Sequence, residues 1–321
     1  MIVINKIAVL TSGGDCPGMN AAIRGVVRAA QAKNIEVFGV HNGYVGLIGK
    51  QIVPLDSRAV SDTIHRGGTF LGTARSEEFR TSAGQQKALA NLQELGIDGL
   101  VVIGGDGSLS GARILGEMGM KVAGIPGTID NDLWGTEYTV GADTAVNTVV
   151  DAIDKIRDTA SAHGRVMVVE VMGRESGWIA LTAGFAGGAE LILIPEIAYD
   201  LNRVCERVKE AVANKHHCII VIAEGAGNGM AIGDHIHRKT GLETRVSVLG
   251  HIQRGGSPTV FDRVLASRLG AGAVKALLDG KTNVMLGCQG ANIVAIDFAD
   301  ALGQKKVIDA EEFNLASIMS I

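Results

Sequence analysis

Three short segments concentrate the residues able to handle phosphate: Thr11-Ser-Gly-Gly-Asp15-Cys-Pro-Gly-Met-Asn20, Gly104-Gly-Asp106-Gly-Ser108 and Pro126-Gly-Thr-Ile-Asp130-Asn-Asp132. Glycine lets a backbone take positive φ and approach a ligand closely, and a helix that follows offers unpaired N–H groups to anionic oxygens. Gly13, Gly14, Gly105 and Gly107 are therefore candidates for cradling phosphates. A carboxylate beside a polyphosphate is repelled unless a cation intervenes, so Asp106 and Asp132 point to Mg²⁺ held through few protein ligands and several waters. A single Gly-Gly-Asp is what a strand-to-helix turn of any α/β protein needs; three such segments, each carrying Asp, shift the reading toward chemistry. Neither standard nucleotide fingerprint is present. There is no G-x-G-x-x-G, and Gly280-Lys281-Thr282 has Lys275 where a P-loop needs its leading glycine.

The elements that position these turns are legible as β-branched runs: Lys6 to Leu10, Glu36 to Val40, Gly99 to Ile103, Lys121 to Ile125, Arg165 to Val171, Glu190 to Ile194, Cys218 to Ala223, Arg245 to Leu249 and Asn292 to Ile296. They read as buried parallel strands. Each of the three segments follows one of them, and in open α/β sheets the carboxyl ends of strands are where ligands bind. Helical patterns lie between the strands, as over Gln85 to Leu95, where Gly96 supplies a stop. A long amphipathic stretch from Thr144 to Ala162, with Val146, Val149, Ile153 and Ile156 on one face, is read as the entry to a second domain. The alternation predicts an α/β protein of two doubly wound, Rossmann-like domains with mainly parallel sheets.

Composition excludes several classes. The net charge of −4, with basic residues scattered, lacks the footprint of a nucleic-acid or anionic-membrane binder, so small-molecule partners are expected. The four cysteines, Cys16, Cys205, Cys218 and Cys288, form no C-x-x-C pair and argue for neither zinc nor disulfides; free thiols in a reducing compartment are expected. The first residues read as a strand rather than a leader, and no run reaches the roughly 18 apolar residues of a spanning helix. A cytoplasmic location is the resulting expectation.

The three segments, together with Met172-Gly-Arg174 and Leu249-Gly-His251-Ile-Gln-Arg254-Gly-Gly-Ser257, resemble the bacterial ATP-dependent 6-phosphofructokinases, in order and over essentially the whole chain. The resemblance implies a larger ATP-binding domain over residues 1–138 plus 251–301 and a smaller sugar-phosphate domain over 139–250 plus 302–321. It implies transfer of the γ-phosphoryl of Mg-ATP to the 1-hydroxyl of fructose 6-phosphate in glycolysis. Asp130 matches the family's catalytic base, with Thr128 and Asp132 beside it, and Arg75 and Arg174 match positions near the transferring group. A carboxylate that accepts the hydroxyl proton is worth about 10² to 10⁴ in rate, and cations stabilise the charge that develops in phosphoryl transfer. Asp106 matches the magnesium-linked aspartate. Gly14, Arg75, Ser76, Gly105, Gly107 and Ser108 match ATP-binding segments, and Tyr44 is placed near the adenine.

For the sugar phosphate the matched positions are Thr128, Ile129, Asp130, Arg165, Met172, Gly173, Arg174, Glu224, Arg245, His251, Ile252, Gln253 and Arg254. Arg165, Arg245, His251 and Arg254 suit a 6-phosphate clamp, because guanidinium groups present paired donors to phosphate oxygens. The resemblance implies a homotetramer in which Arg165 and Arg245 serve the neighbouring subunit. Arg24 and Arg28, four apart on one predicted helix, match an effector site with Arg157, Gly188, Ala189, Glu190 and Lys215; the family binds ADP or GDP as activator and phosphoenolpyruvate as inhibitor there. Asn214-Lys215-His216-His217 is shorter and less basic than usual and Ser57 replaces a common Arg, so weakened or altered regulation is expected.

Pyrophosphate-using relatives carry bulkier, charged residues at the positions of Gly107 and Gly127, and glycine at both favours ATP. Glu175-Ser-Gly-Trp178 is closer to the pyrophosphate-using branches and keeps that donor as the alternative. A non-catalytic sugar-phosphate or nucleotide sensor is a third reading. Joint retention of Asp106, Asp130, Asp132, Arg75 and Arg174 argues against it. A kinase of another acceptor, such as NAD, leaves the His251 to Ser257 run unexplained.

Overall fold

The computed structural model describes residues 4–319, and the chain divides into two compact units. The first comprises residues 1–128, 133–143 and 254–306, and the second 129–132, 144–253 and 307–321.

In the first unit β1 (Lys6–Thr11), α1 (Met19–Gln31), β2 (Glu36–Val40), α2 (Gly43–Ile48), β3 (Ile52–Pro54), α3 (Ser82–Glu94), β4 (Gly99–Gly104), α4 (Asp106–Glu117) and β5 (Lys121–Pro126) come first. The second unit follows with α5 (Ala142–His163), whose first two residues still belong to the first, then β6 (Val166–Val171), α6 (Trp178–Ala186), β7 (Leu191–Leu193), α7 (Leu201–Lys215), β8 (Cys218–Ala223), α8 (Gly229–Thr240) and β9 (Thr244–Val248). The chain returns to the first unit for α9 (Val260–Leu278), β10 (Val284–Gln289), β11 (Asn292–Asp297) and α10 (Phe298–Gly303), and ends in the second with α11 (Ala310–Met319).

The first unit's sheet has the order β11-β10-β5-β4-β1-β2-β3. Its centre is parallel, and β3 and β11 close the two edges antiparallel. Every residue of β4 (GLVVIG) is buried, the continuous apolar run of a strand covered on both faces. The chain winds outward from β1 in both directions, so the strand order reverses between β1 and β4. Their carboxyl ends flank the crevice such sheets use for ligands. Helices α1 and α9 lie unusually close on one face: a Cβ on Gly25 would stand 2.7 Å from the Ser267 carbonyl oxygen, and one on Gly270 2.6 Å from that of Ala22. The opposite face packs Leu47, Leu92, Leu109, Leu115, Met285 and Phe298 into one cluster.

The second unit's sheet, β7-β8-β6-β9, is wholly parallel. All six residues of β8 (CIIVIA) are buried, while β9 is half-exposed at an edge. Val166, Val168, Ile220 and Ile222 form its core with Val204 and Val208 of α7 and Ile232 and Ile236 of α8.

The architecture is the expected α/β one, with local differences. The run Asn292 to Ile296 is an antiparallel, partly exposed edge strand, not a buried parallel one, because Gly290 at φ +54 turns the chain straight back on β10. Helix α3 begins at Ser82, earlier than its apolar spacing indicates, because the Thr81 hydroxyl caps it by accepting from the Gly84 N–H. Among the described residues no helix is long and apolar enough to cross a membrane, and all four cysteines are buried and none is in a disulfide.

Candidate active site

In the first unit the loops leaving β1 and β4 are tied together. The Ser12 N–H donates to the Ile103 carbonyl at 3.0 Å, and a Cβ on Gly13, at φ +83, would lie 3.0 Å from Ser108 Oγ. The segment carrying Arg75 and Ser76 joins them, because the Thr73 hydroxyl donates to the Gly13 carbonyl at 2.6 Å. Ser76 Oγ also accepts from the Phe79 N–H at 3.1 Å, and Arg75 is left exposed. No side chain caps the amino end of α4, so its first amides stay open to an anion. Asp106 occupies the first position of that helix and is exposed. A Cβ on Gly107 would meet nothing within 4 Å, and one on Gly105 would only graze Thr128 Cβ at 3.5 Å.

Arg254 belongs here too. Its Nη1 donates to the Asp15 carbonyl at 3.2 Å, and a Cβ on Gly14 would meet that nitrogen at 2.3 Å and displace the guanidinium. Among the described residues no group of three His, Cys, Asp or Glu converges as a metal cage. The lone exposed carboxylate of Asp106 beside open amides suits Mg²⁺, which takes one or two carboxylates together with phosphate oxygens and water.

Two expectations for this unit change. Tyr44 offers no face to an adenine: it is 5% exposed, its ring stacks on Phe79 with centroids 3.9 Å apart, and its hydroxyl donates to the Ser108 carbonyl at 2.6 Å. Burial pushes its phenol well above the usual range. Tyr44 thus braces the first turn of α4 from inside. Gly127 faces protein rather than open space, since its Cβ would press on Ile103 Cγ2 at 3.1 Å and Met19 Cε at 3.3 Å. The donor argument therefore rests on Gly107. Arg24 and Arg28 share α1 as expected, with Arg28 Nη2 donating to the Ser57 carbonyl at 3.2 Å.

In the second unit the loops after β6, β8 and β9 converge. Asp130 is 3% exposed, with Arg174 Nε 3.7 Å from its Oδ2; Asn131 next to it is buried and Asp132 partly exposed. Arg174 sits at φ +53, a left-handed conformation costing a non-glycine residue about 1–2 kcal/mol. Its N–H donates to Glu224 Oε1 at 2.9 Å. The Met172 N–H donates to Gln253 Oε1 at 3.2 Å, and Gln253 Nε2 donates to the Gly250 carbonyl at 3.0 Å. Gln253, expected at the sugar, is fully buried and spends its amide inside the protein; Ile129 is fully buried as well. His251 and Ile252 are exposed.

Arg165 and Arg245 are not with this group. They stand at the amino ends of β6 and β9, the other end of the same sheet, Arg245 being in register with Met167. Both reach Glu243 Oε1, at 3.0 and 2.7 Å, and their hydrogen bonds hold its carboxyl below the usual range. Glu243 belongs to none of the sequence motifs; it stands just before β9, two residues ahead of Arg245.

The expected effector residues of this unit do gather. Arg157 Nη2 donates to the Gly188 carbonyl at 3.0 Å and also to that of Gly187. Next to them Ala189 and Glu190 are buried; Lys215 Nζ is 3.3 Å from Glu190 Oε1, and Glu190 Oε2 accepts from the Ile219 N–H at 2.7 Å.

The comparisons fit this geometry. A Phosphofructokinase family model matches residues 6–277. Proteins of Bacillus subtilis (strain 168) and Bacillus pumilus (strain SAFR-032), each named ATP-dependent 6-phosphofructokinase, are 56% identical over 319 residues, covering 99% of this chain and 100% of theirs. The structure of phosphofructokinase from Saccharomyces cerevisiae matches with a TM-score of 0.88 at 38% identity, over 93% of this chain and 45% of the longer yeast chain. A pyrophosphate-dependent phosphofructokinase from Nitrosospira multiformis shares the fold, with a TM-score of 0.88 at 20% identity. With two mainly parallel α/β sheets, glycine-rich loops at the carboxyl ends of their strands and a family match over most of its length, this chain belongs to the phosphofructokinase family.

Proposed function

We propose that the chain transfers the γ-phosphoryl group of ATP to the 1-hydroxyl of fructose 6-phosphate, giving fructose 1,6-bisphosphate and ADP. The observation that carries this is the 56% identity, over 99% of this chain and 100% of theirs, to relatives named for that reaction. The roles follow from the residues. In the first unit the β1 and β4 loops, the open amides at the head of α4, Arg75 and Ser76 receive the nucleotide phosphates. Asp106 would hold Mg²⁺, which supplies neutralisation of the phosphate charge. In the second unit Asp130 accepts the proton of the attacking hydroxyl, Arg174 offsets charge on the transferring group, and Glu224 and His251 bind the sugar phosphate. Open space above Gly107 supports ATP as the donor.

Arg165 and Arg245 support a shared site in a homotetramer. Met167 and Met172 are five residues apart along the strand direction, about 16 Å of sheet. A phosphate at the carboxyl end is therefore beyond those two arginines of its own chain, and they serve a second copy. Arg157, Gly188, Glu190 and Lys215 of the second unit and, separately, Arg24 and Arg28 of the first are assigned to binding an anionic effector, a nucleoside diphosphate or phosphoenolpyruvate, and the enzyme works in the cytoplasm. The test is a coupled assay for fructose 1,6-bisphosphate with Mg-ATP and Mg-pyrophosphate in parallel. Product with ATP alone is expected; product with pyrophosphate alone refutes the donor assignment, and product with neither refutes the activity.

A further inference from the structure

The segment Met172-Gly173-Arg174 is held at both ends by side chains from other loops. Gln253 Oε1 takes the Met172 N–H at 3.2 Å and Glu224 Oε1 takes the Arg174 N–H at 2.9 Å. Between them Gly173 stands at φ +143, with the Ser176 N–H donating to its carbonyl at 2.8 Å, and the Arg174 carbonyl abuts Gly225 so tightly that no Cβ fits. Arg174 itself is left-handed at φ +53, although it has no glycine-like freedom. Such a conformation persists only where the surroundings over-determine it. Glu224 is exposed and already committed to the sugar phosphate, so it is the weaker anchor. Gln253 is 0% exposed, and its other end is fixed by donating to the Gly250 carbonyl at 3.0 Å.

We infer that Gln253 is a positioning residue. Buried and out of reach of any substrate, it fastens the β6 loop to the turn carrying His251, and thereby holds Arg174 in its strained backbone with Nε 3.7 Å from Asp130. A glutamine suits the place because one amide supplies the acceptor that Met172 needs and the donor that Gly250 needs. The inference deepens the proposed activity and rests on it.

The test is Gln253→Met, which keeps the length and removes both hydrogen bonds. With the variant folded by circular dichroism and assayed well below its melting temperature, kcat/KM for fructose 6-phosphate is expected to fall about tenfold or more, the consequence of losing roughly one to two hydrogen bonds. KM for ATP should stay within about twofold, because the nucleotide residues lie in the other unit; a merely structural loss would lower the active fraction without this split. An unchanged kcat/KM for the sugar phosphate, or equal change for both substrates, overturns the inference. Amide hydrogen exchange on the unaltered protein tests the clamp even if the variant does not fold or the assignment of activity fails. Slow exchange at Met172 and Arg174 is expected, and exchange at the rate of unstructured chain overturns it.

Discussion

Replacing Gly107 by Asp should make the protein more stable and worse at using ATP, and the two signs have separate causes in the structure. Gly107 is the second residue of α4, exposed, with nothing within 4 Å of the position its Cβ would take. Any side chain there relieves the helix penalty of glycine, and a carboxylate in the first turn also faces the positive end of the helix dipole. Together these effects stabilise by about 0.5–1 kcal/mol. The same carboxylate then projects where phosphate oxygens would lie. Two like charges about 4 Å apart repel by about 1 kcal/mol at the dielectric of water and about 4 kcal/mol at that of a protein surface. The corresponding loss in kcat/KM for ATP is about fivefold to a thousandfold. Thermal melting of the apo protein and steady-state kinetics with varied ATP read the two effects independently. A variant that melts no lower than the parent and binds ATP as well would show that the space above Gly107 is not the phosphate path. A variant that unfolds would show that the space is not open.

Asp130→Ser should cut turnover by at least about a hundredfold with a modest change in sugar-phosphate KM, the pattern of a group acting in the transition state; near-normal turnover removes Asp130 from the mechanism. Tyr44→Phe should cost about 1–2 kcal/mol by leaving the Ser108 carbonyl without its buried donor, while an unchanged melting temperature would mean that this hydrogen bond does not brace the helix. Glu243, whose pKa is lowered by hydrogen bonds from Arg165 and Arg245, contributes its pairing above the ordinary carboxylate pKa and loses it as pH falls through the lower folded value. NMR titration should therefore find it below about 4.3, and an ordinary or higher value would mean the arginines do not hold it. Burial raises the thiol pKa values of Cys205, Cys218 and Cys288, so a thiol reagent near pH 8 should label them only after unfolding, and rapid native labelling would contradict that.

The strands that read most clearly in the sequence are those covered on both faces, such as β4 and β8, because a doubly buried strand writes itself as an unbroken apolar run. The edges were less legible. The run VMLGCQ of β10 is as apolar as its neighbours but carries internal glycine, and β3 is three residues long, so neither stands out as a strand. At the site, glycine identities pointed to the right loops without saying why each is glycine. Gly107 faces open space, whereas Gly127 faces Ile103 and Met19, and only coordinates separate a ligand's space from a neighbour's. Tyr44 and Gln253 face inward, which the sequence does not show for a related reason. A polar side chain in a motif can face the ligand or face inward to hold the loop that does, and the sequence pattern is the same in both cases.

Glu243 shows what such a supporting residue contributes. Arg165 and Arg245 stand side by side at the amino ends of parallel strands, where two guanidinium groups would repel each other without a shared counter-charge. Glu243 supplies one, its Oε1 accepting from Arg245 at 2.7 Å and lying 3.0 Å from Arg165 Nε. Its carboxylate is in water, so little is lost when the pair turns to an arriving phosphate, and an exposed ion pair of this kind is weak. A buried acid in its place would have held the arginines more firmly and cost far more to leave. The arrangement thus keeps two arginines oriented yet exchangeable at the end of the sheet farthest from their own chain's Arg174. That is what the proposed sharing of these arginines with a second copy would require, and what a clamp for the chain's own substrate would not.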